Sequence, residues 1–148
     1  MDAKEIFRKK FETYRKVMDQ SGEQKAWETL FQGYPERQKA NMGRMIDNCT
    51  LAEGFSKGIP LYKQMGMDMQ VIDLSTDTVD AVLEIQRTCP ALSAGLHKEF
   101  GFEKPCRIIC DMDIAATEAA FPGMKGKRLA AMGEGDVVCL FKYERPKK

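Results

Sequence analysis

The chain has 148 residues, with 23 lysines and arginines against 22 aspartates and glutamates, one histidine and a formal net charge of +1. This balance excludes a broad electrostatic attraction for nucleic acid or an anionic membrane as the basis of function. No apolar run approaches the ~20 residues a membrane span needs, and the charged, amphipathic start MDAKEIFRKKFETYRK lacks the apolar core of a secretory signal, so a cytoplasmic protein is expected.

One domain over residues 1–148 is expected, with a helical part over 1–66 and a sheet with a cysteine-bearing helix over 67–148. In the first part Ile6, Phe7, Phe11, Tyr14, Val17 and Met18 recur at three- and four-residue steps, and Ser21-Gly22 ends that helix. A second run through Trp27, Leu30, Phe31 and Tyr34 meets Gly33 and Pro35, where a break is expected, and resumes through Met42, Met45 and Ile46. Asn48 is the expected cap of a third run through Leu51, Phe55, Ile59, Tyr62 and Met65, closed by Gly66.

From Met67 the pattern changes to short β-branched runs over 67–74 and 78–87, joined at Ser75-Thr76-Asp77 as a hairpin. Pro90 opens a helix that stops at Gly101, and Pro105 opens another that stops before Pro122-Gly123. Runs over 126–132 and 136–144 flank Gly133-Glu134-Gly135-Asp136 as a second hairpin, with Val137, Cys139, Phe141 and Tyr143 alternating onto the core face and ERPKK expected to fray. The reading is α+β: a helical first third, then a four-stranded antiparallel sheet of two hairpins, with the two intervening helices on one face.

The chemistry concentrates after Cys89. Cys106, Cys110, Asp113 and Thr117 fall at i, i+4, i+7 and i+11, one stripe of thiols and oxygen groups, while Ile108, Met112, Ala115 and Ala119 form an apolar stripe. Asp111 sits beside the first stripe. If this helix packs on the sheet, Cys89, Cys106, Cys110 and Cys139 gather around one cavity. In a reducing compartment the five cysteines are expected to be free thiols. Packing alone accounts for an isolated Cys49 and for much of what Cys139 does. His97 reads more readily as a satisfied residue than as a ligand, and is carried as a binding candidate. The ten methionines fall mostly at helical core spacing and need no cofactor. No cofactor is expected; a zinc or iron–sulfur site through Cys89, Cys106, Cys110 and Cys139 is the weaker alternative, since paired Cys-x-x-Cys spacing is absent.

Cys89-Pro90, Cys110-Asp111-Met112-Asp113, Leu129 and the closing Gly135-Asp136-Val137-Val138-Cys139-Leu140-Phe141 together resemble the L-2-amino-thiazoline-4-carboxylic acid hydrolase-like family over roughly the last 60 residues. A fainter similarity is to the 4-vinyl reductase domain, a ligand-sensing module whose members can bind zinc near the same final strand. Arg128 and Ala131 or their neighbours replace the Glu and Cys expected there, leaving Cys139.

The hydrolase resemblance implies opening of a small cyclic C–N bond, which needs a nucleophile or base, an acid for the leaving atom and a cation for the substrate carboxylate. Cys110 is the nucleophile it implies, with Asp113 orienting the amidine or moving protons and Asp111 as the alternate acid/base. Cys106 is a rival nucleophile because it lies in the first turn of its helix, where the dipole favours a thiolate. Arg128, and after it Arg107, would take the carboxylate, with Cys89, Cys139 and Thr117 lining the cavity. The alternative is a non-catalytic small-molecule or metal-binding module built on the same cavity. A third option is a subunit that pairs with a second copy through its N-terminal helices.

Overall fold

A computed structural model describes residues 2–148. Asp2 caps the first helix, α1 (Ala3–Ser21), by accepting a hydrogen bond from the Glu5 amide at 2.9 Å. The apolar stripe of α1 buries Phe11 and Tyr14 against α2 (Glu23–Phe31), which follows directly after Gly22. The expected break falls at Gln32-Gly33, where Gly33 takes φ +76° and lets α3 (Tyr34–Ile46) start in a new direction with Pro35 in its first turn.

The next segment forms two short helices where one was expected, α4 (Leu51–Lys57) and α5 (Ile59–Gln64), because Gly58 and Pro60 together interrupt the hydrogen-bond ladder. Thr50 caps α4 and not Asn48: its hydroxyl accepts from the Glu53 amide at 3.1 Å, three residues on, while Asn48 lies outside the helix. Gly54 lets α4 press onto the end of α3, since a Cβ there would stand 2.6 Å from both the Ile46 side chain and the Met45 carbonyl.

Strands β1 (Met69–Asp73) and β2 (Val79–Gln86) make the first hairpin; β3 (Lys125–Ala130) and β4 (Cys139–Pro146) make the second. All pairings are antiparallel and the order across the sheet is β1-β2-β4-β3, so the two hairpins meet through β2 and β4. The fold is therefore α+β. The second hairpin is joined by a longer loop than Gly133–Asp136 suggests: a 3-10 turn over Met132–Glu134 precedes an irregular stretch, and the Asp136 carboxylate accepts from the Ala131 amide. Val137 consequently falls before the strand and is 89% exposed, unlike Cys139, Phe141 and Tyr143, which are buried. The end ERPKK does not fray as a unit, because β4 runs to Pro146 and Arg145 is held by three acceptors.

The stretch after Cys89 divides at Gly95 into α6 (Pro90–Ser93) and α7 (Leu96–Glu99). These pack chiefly on α1 and not on the sheet, since Ala91 and Leu96 join Phe11 and Tyr14 in one buried cluster. The helix that does reach the sheet opens with a π-helical turn, Arg107–Asp111, and continues as α8 (Met112–Ala120) against α3 and β3. Two buried clusters result. One joins α1, α2, α6, α7 and the π turn; the other joins α3, α4, α8 and the inner sheet face through Ile46, Leu51, Val82, Ile114 and Phe141. Cys110 touches both. Among the described residues no helix is long and apolar enough to cross a membrane.

Candidate functional site

Where the two clusters meet, the chain forms a half-open cavity of about 360 Å³ between α1, α3, α4, α5, the π turn with α8, and the inner faces of β1, β2 and β4. Its wall is mostly apolar. Five methionines, Met42, Met45, Met65, Met67 and Met69, line it along with Phe55 and Phe141. Methionine is flexible and polarizable, so such a wall adapts to the shape of what it holds.

The polar groups come from several separate segments. On one side Lys10 Nζ donates to Tyr34 Oη at 3.1 Å, and Tyr34 Oη donates to Asp113 Oδ1 at 2.6 Å. Gln38 Nε2 reaches both Asp113 Oδ1 at 3.3 Å and Thr117 Oγ1 at 2.9 Å, and Thr117 in turn donates to the Asp113 carbonyl. Burial pushes the Asp113 carboxyl up, while the Tyr34 hydrogen bond and the Lys10 charge draw it part of the way back. Burial also lowers Lys10, against the pull of Asp113.

On the sheet side, β2 presents Glu84 and Gln86 to the cavity. Burial first, and repulsion from Asp113 second, push the Glu84 carboxyl up from 4.5 to about 7, and the neighbouring Gln86 amide draws it partly down. Glu84 forms no ion pair among the described residues. Gln86 is 4% exposed, and its Oε1 is buried without a hydrogen-bond partner. Tyr62 and Tyr143 are held well above the ordinary phenol range, by burial first and by the nearby carboxylates second.

The candidates from the cysteine region divide. Cys89, Cys110, Asp113, Thr117 and Cys139 line the cavity; Cys106, Asp111, Arg107, Arg128 and His97 lie outside it. The π turn explains the division within the helix. Met112 N bonds Arg107 O, five residues back, and this wider turn rotates Cys106 away from the stripe that Cys110, Asp113 and Thr117 share. Cys106 is buried beneath Gly133, its Sγ 2.6 Å from where a Cβ would stand. Burial raises its thiol to about 11, so the favourable position near the helix start does not yield a thiolate.

Asp111 and Arg128 hold each other, with Nε–Oδ1 at 2.9 Å, and Glu134 lies 3.7 Å from the same guanidinium. Arg107 is exposed, pairing with Glu23 at 3.0 Å and lying 4.6 Å from the Trp27 ring centre. His97, on α7 beside α1, is 2% exposed, and its Nδ1 is buried with no hydrogen-bond partner among the described residues, so it is not the satisfied histidine expected. Cys110 is pushed well above the ordinary thiol range, by burial first and then by the neighbouring thiols and Asp113, and it forms no hydrogen bond to a base among the described residues. All five cysteines are free thiols. Among the described residues no three His, Cys, Asp or Glu side chains are grouped so as to hold a metal ion, so the four cysteines do not make a ready thiolate cage.

Lys10, Tyr34, Gln38, Glu84 and Gln86 carry most of the polar character of the site and fall outside the cysteine region. One signal for Glu84 was present: strict alternation in VDAVLEIQ puts Asp80, Glu84 and Gln86 on the same strand face as Val82.

The chain matches no protein-family model and no curated protein sequence. Among solved structures it is similar to the phenol-responsive sensory domain of the transcription activator PoxR, crystallised with phenol. The match has a TM-score of 0.57 and 14% identity, and covers 94% of this chain and 74% of that one. The likeness is one of fold. It gives the hydrolase-like resemblance no added support.

Proposed function

We propose that this protein is a ligand-binding module that takes one small, largely apolar molecule into the cavity between its helices and its sheet. The observation that carries this reading is the cavity itself: its volume falls within the roughly 300–1,000 Å³ of small-molecule sites, and apolar walls surround a few convergent polar groups. The shared fold with a sensory domain that is itself responsive to a small aromatic molecule supports it.

Ring-opening hydrolysis at Cys110 and Asp113 is the less favoured use of the same wall. A nucleophilic thiol needs its pKa lowered, and burial moves Cys110 the other way. The two arginines expected to take a substrate carboxylate are engaged with Asp111 and Glu23, outside the cavity.

Thermal unfolding in the presence of a panel of one- and two-ring compounds tests the proposal. Saturable rises in Tm are expected for the wild type, and their loss in Met45→Trp, which fills the cavity. No shift with any compound, or release of ring-opened product from 2-amino-thiazoline-4-carboxylate, overturns it.

A further inference from the structure

We infer that the cavity selects an organic ammonium ion on an apolar body, with Glu84 as its counter-ion and the Gln86 carbonyl as a second acceptor. This rests on the ligand-binding reading above and adds the chemical class of the ligand.

The argument is one of unmatched groups. The cavity holds two carboxylates, Glu84 and Asp113, against one lysine, Lys10. Lys10 is committed to the Asp113 end through Tyr34, and Gln38 bonds Asp113 as well. Glu84 faces the same cavity with no Lys, Arg or His in ion-pair contact among the described residues. Beside it stands an acceptor that the fold leaves empty, Gln86 Oε1, in a side chain 96% removed from solvent by its 4% exposure. A half-buried carboxylate without a counter-ion and a buried carbonyl without a donor are both costly. Both costs are met by one group that brings several N–H donors and a positive charge, while the methionine and phenylalanine walls take the rest of the molecule. A carboxylate ligand would add a third negative charge, and a neutral alcohol offers one donor to two acceptors.

The upward shift of Glu84 to about 7 agrees with this geometry and makes binding depend on pH. An ammonium ion binds the ionised form, so its affinity rises as pH passes upward through 7, and its arrival lowers the Glu84 pKa. The other titratable groups around Glu84 are Asp113 on α8, Lys10 on α1, Tyr34 on α3, Tyr62 on α5, Tyr143 on β4 and the thiols of Cys89, Cys110 and Cys139. Of these only Asp113 is a second carboxylate, and substitution of Glu84 alone separates the two.

Titration calorimetry on the whole chain with 4-phenylbutylamine, 4-phenylbutan-1-ol and 4-phenylbutyrate is the test. At pH 8 the amine is expected to bind about 10-fold or more tightly than the alcohol, as a charge-assisted hydrogen bond provides, with the butyrate weakest. By pH 5.5 the advantage should have largely gone, with the alcohol changed less than about 3-fold. Glu84→Gln is expected to keep the alcohol affinity and lose most of the amine preference. Alcohol binding without an amine preference, or a preference that survives in Glu84→Gln, overturns the inference and leaves the ligand-binding reading standing. Failure of all three probes to bind the wild type overturns both. The pH dependence in the wild type supplies an independent answer if Glu84→Gln does not fold.

Discussion

Asp80 and Glu84 stand four residues apart on the same face of β2, and their surroundings are opposite. Asp80 is 7% exposed and saturated: Arg145 Nε donates to it at 2.9 Å, and the Leu51 amide, at the start of α4, donates at 3.1 and 3.2 Å. The same guanidinium donates to the carbonyls of Ile46 and Cys49, so one ion pair ties β2, β4 and the α3–α4 turn together. Glu84, two inward positions further along, has no ion-pair partner among the described residues and opens onto a cavity. A buried charge whose partners are all supplied by the fold serves the fold. One without a counter-ion in the fold is what the proposed ligand would complete.

The largest expected effect breaks the saturated end. Arg145→Met leaves the Asp80 charge buried and two carbonyls without a donor, and should cost about 3 kcal/mol of unfolding free energy, read from urea denaturation. A cost under about 1 kcal/mol would mean that Asp80 is held well enough by the Leu51 amide and the Ser75 hydroxyl, which also donates to it.

At the open end the same kind of change should have the opposite sign. The folded-state pKa of Glu84, about 7, lies above its ordinary 4.5, so between these values the native state holds a proton that the unfolded chain has released. Stability from this group therefore falls as pH rises, by about 1.4 kcal/mol per pH unit across that window. Asp113 is also raised and adds to the wild-type slope, but it is common to both proteins. Glu84→Gln should match the wild type near pH 4.5 and exceed it by about 3 kcal/mol at pH 8. A variant less stable than the wild type at pH 8 would show that Glu84 has a partner in the fold after all.

Within the cavity, Tyr34→Phe removes the shortest hydrogen bond to Asp113 while keeping the ring that Lys10 and Arg37 approach. The expected cost is about 1 kcal/mol, together with a further rise of the Asp113 pKa, visible by carboxyl NMR titration. An unchanged Asp113 titration would show that Lys10, and not the phenol, sets its ionisation.

Much of the scaffold was legible from periodicity, and the reason lies in particular residues. Phe7, Phe11 and Tyr14 recur as a helix must if it is to bury one side, and the paired runs around Ser75-Thr76-Asp77 can close only as an antiparallel hairpin. What periodicity cannot supply is a departure from regular geometry. The π turn at Arg107–Asp111 leaves no mark in the spacing of Cys106 and Cys110, yet it decides which of them meets the cavity. The end of β4 misled for another reason: Arg145 and Pro146 look like a solvated tail until the acceptors for the guanidinium, from residues 46, 49 and 80, are brought to it. In β2, alternation taken alone assigns Val79, Ala81, Leu83 and Ile85 to the core and Asp80, Glu84 and Gln86 to solvent. The helices cover the second set. Reading a polar strand face as an inner wall requires knowing that a cavity lies beneath it.

The smallest expected effect separates two aspartates on one helix. Asp113 faces the cavity; Asp111, two residues earlier, turns the other way and pairs with Arg128, with side-chain exposures of 37% and 23%. Pairs this exposed gain little, because water and salt screen them and two flexible side chains must be held still. Asp111→Asn should therefore cost about 0.5 kcal/mol or less, diminishing further in 1 M salt. It should also leave the affinity for any cavity ligand unchanged, since no part of Asp111 reaches the wall. The paired measurement is Asp113→Asn, which alters that wall directly and should change ligand affinity. Equal effects of the two substitutions on binding would mean that the two sides of the helix act as one site. The π turn would then not be the divider that its geometry makes it, and Asp111 with Arg128 would belong with Cys110 in a single constellation.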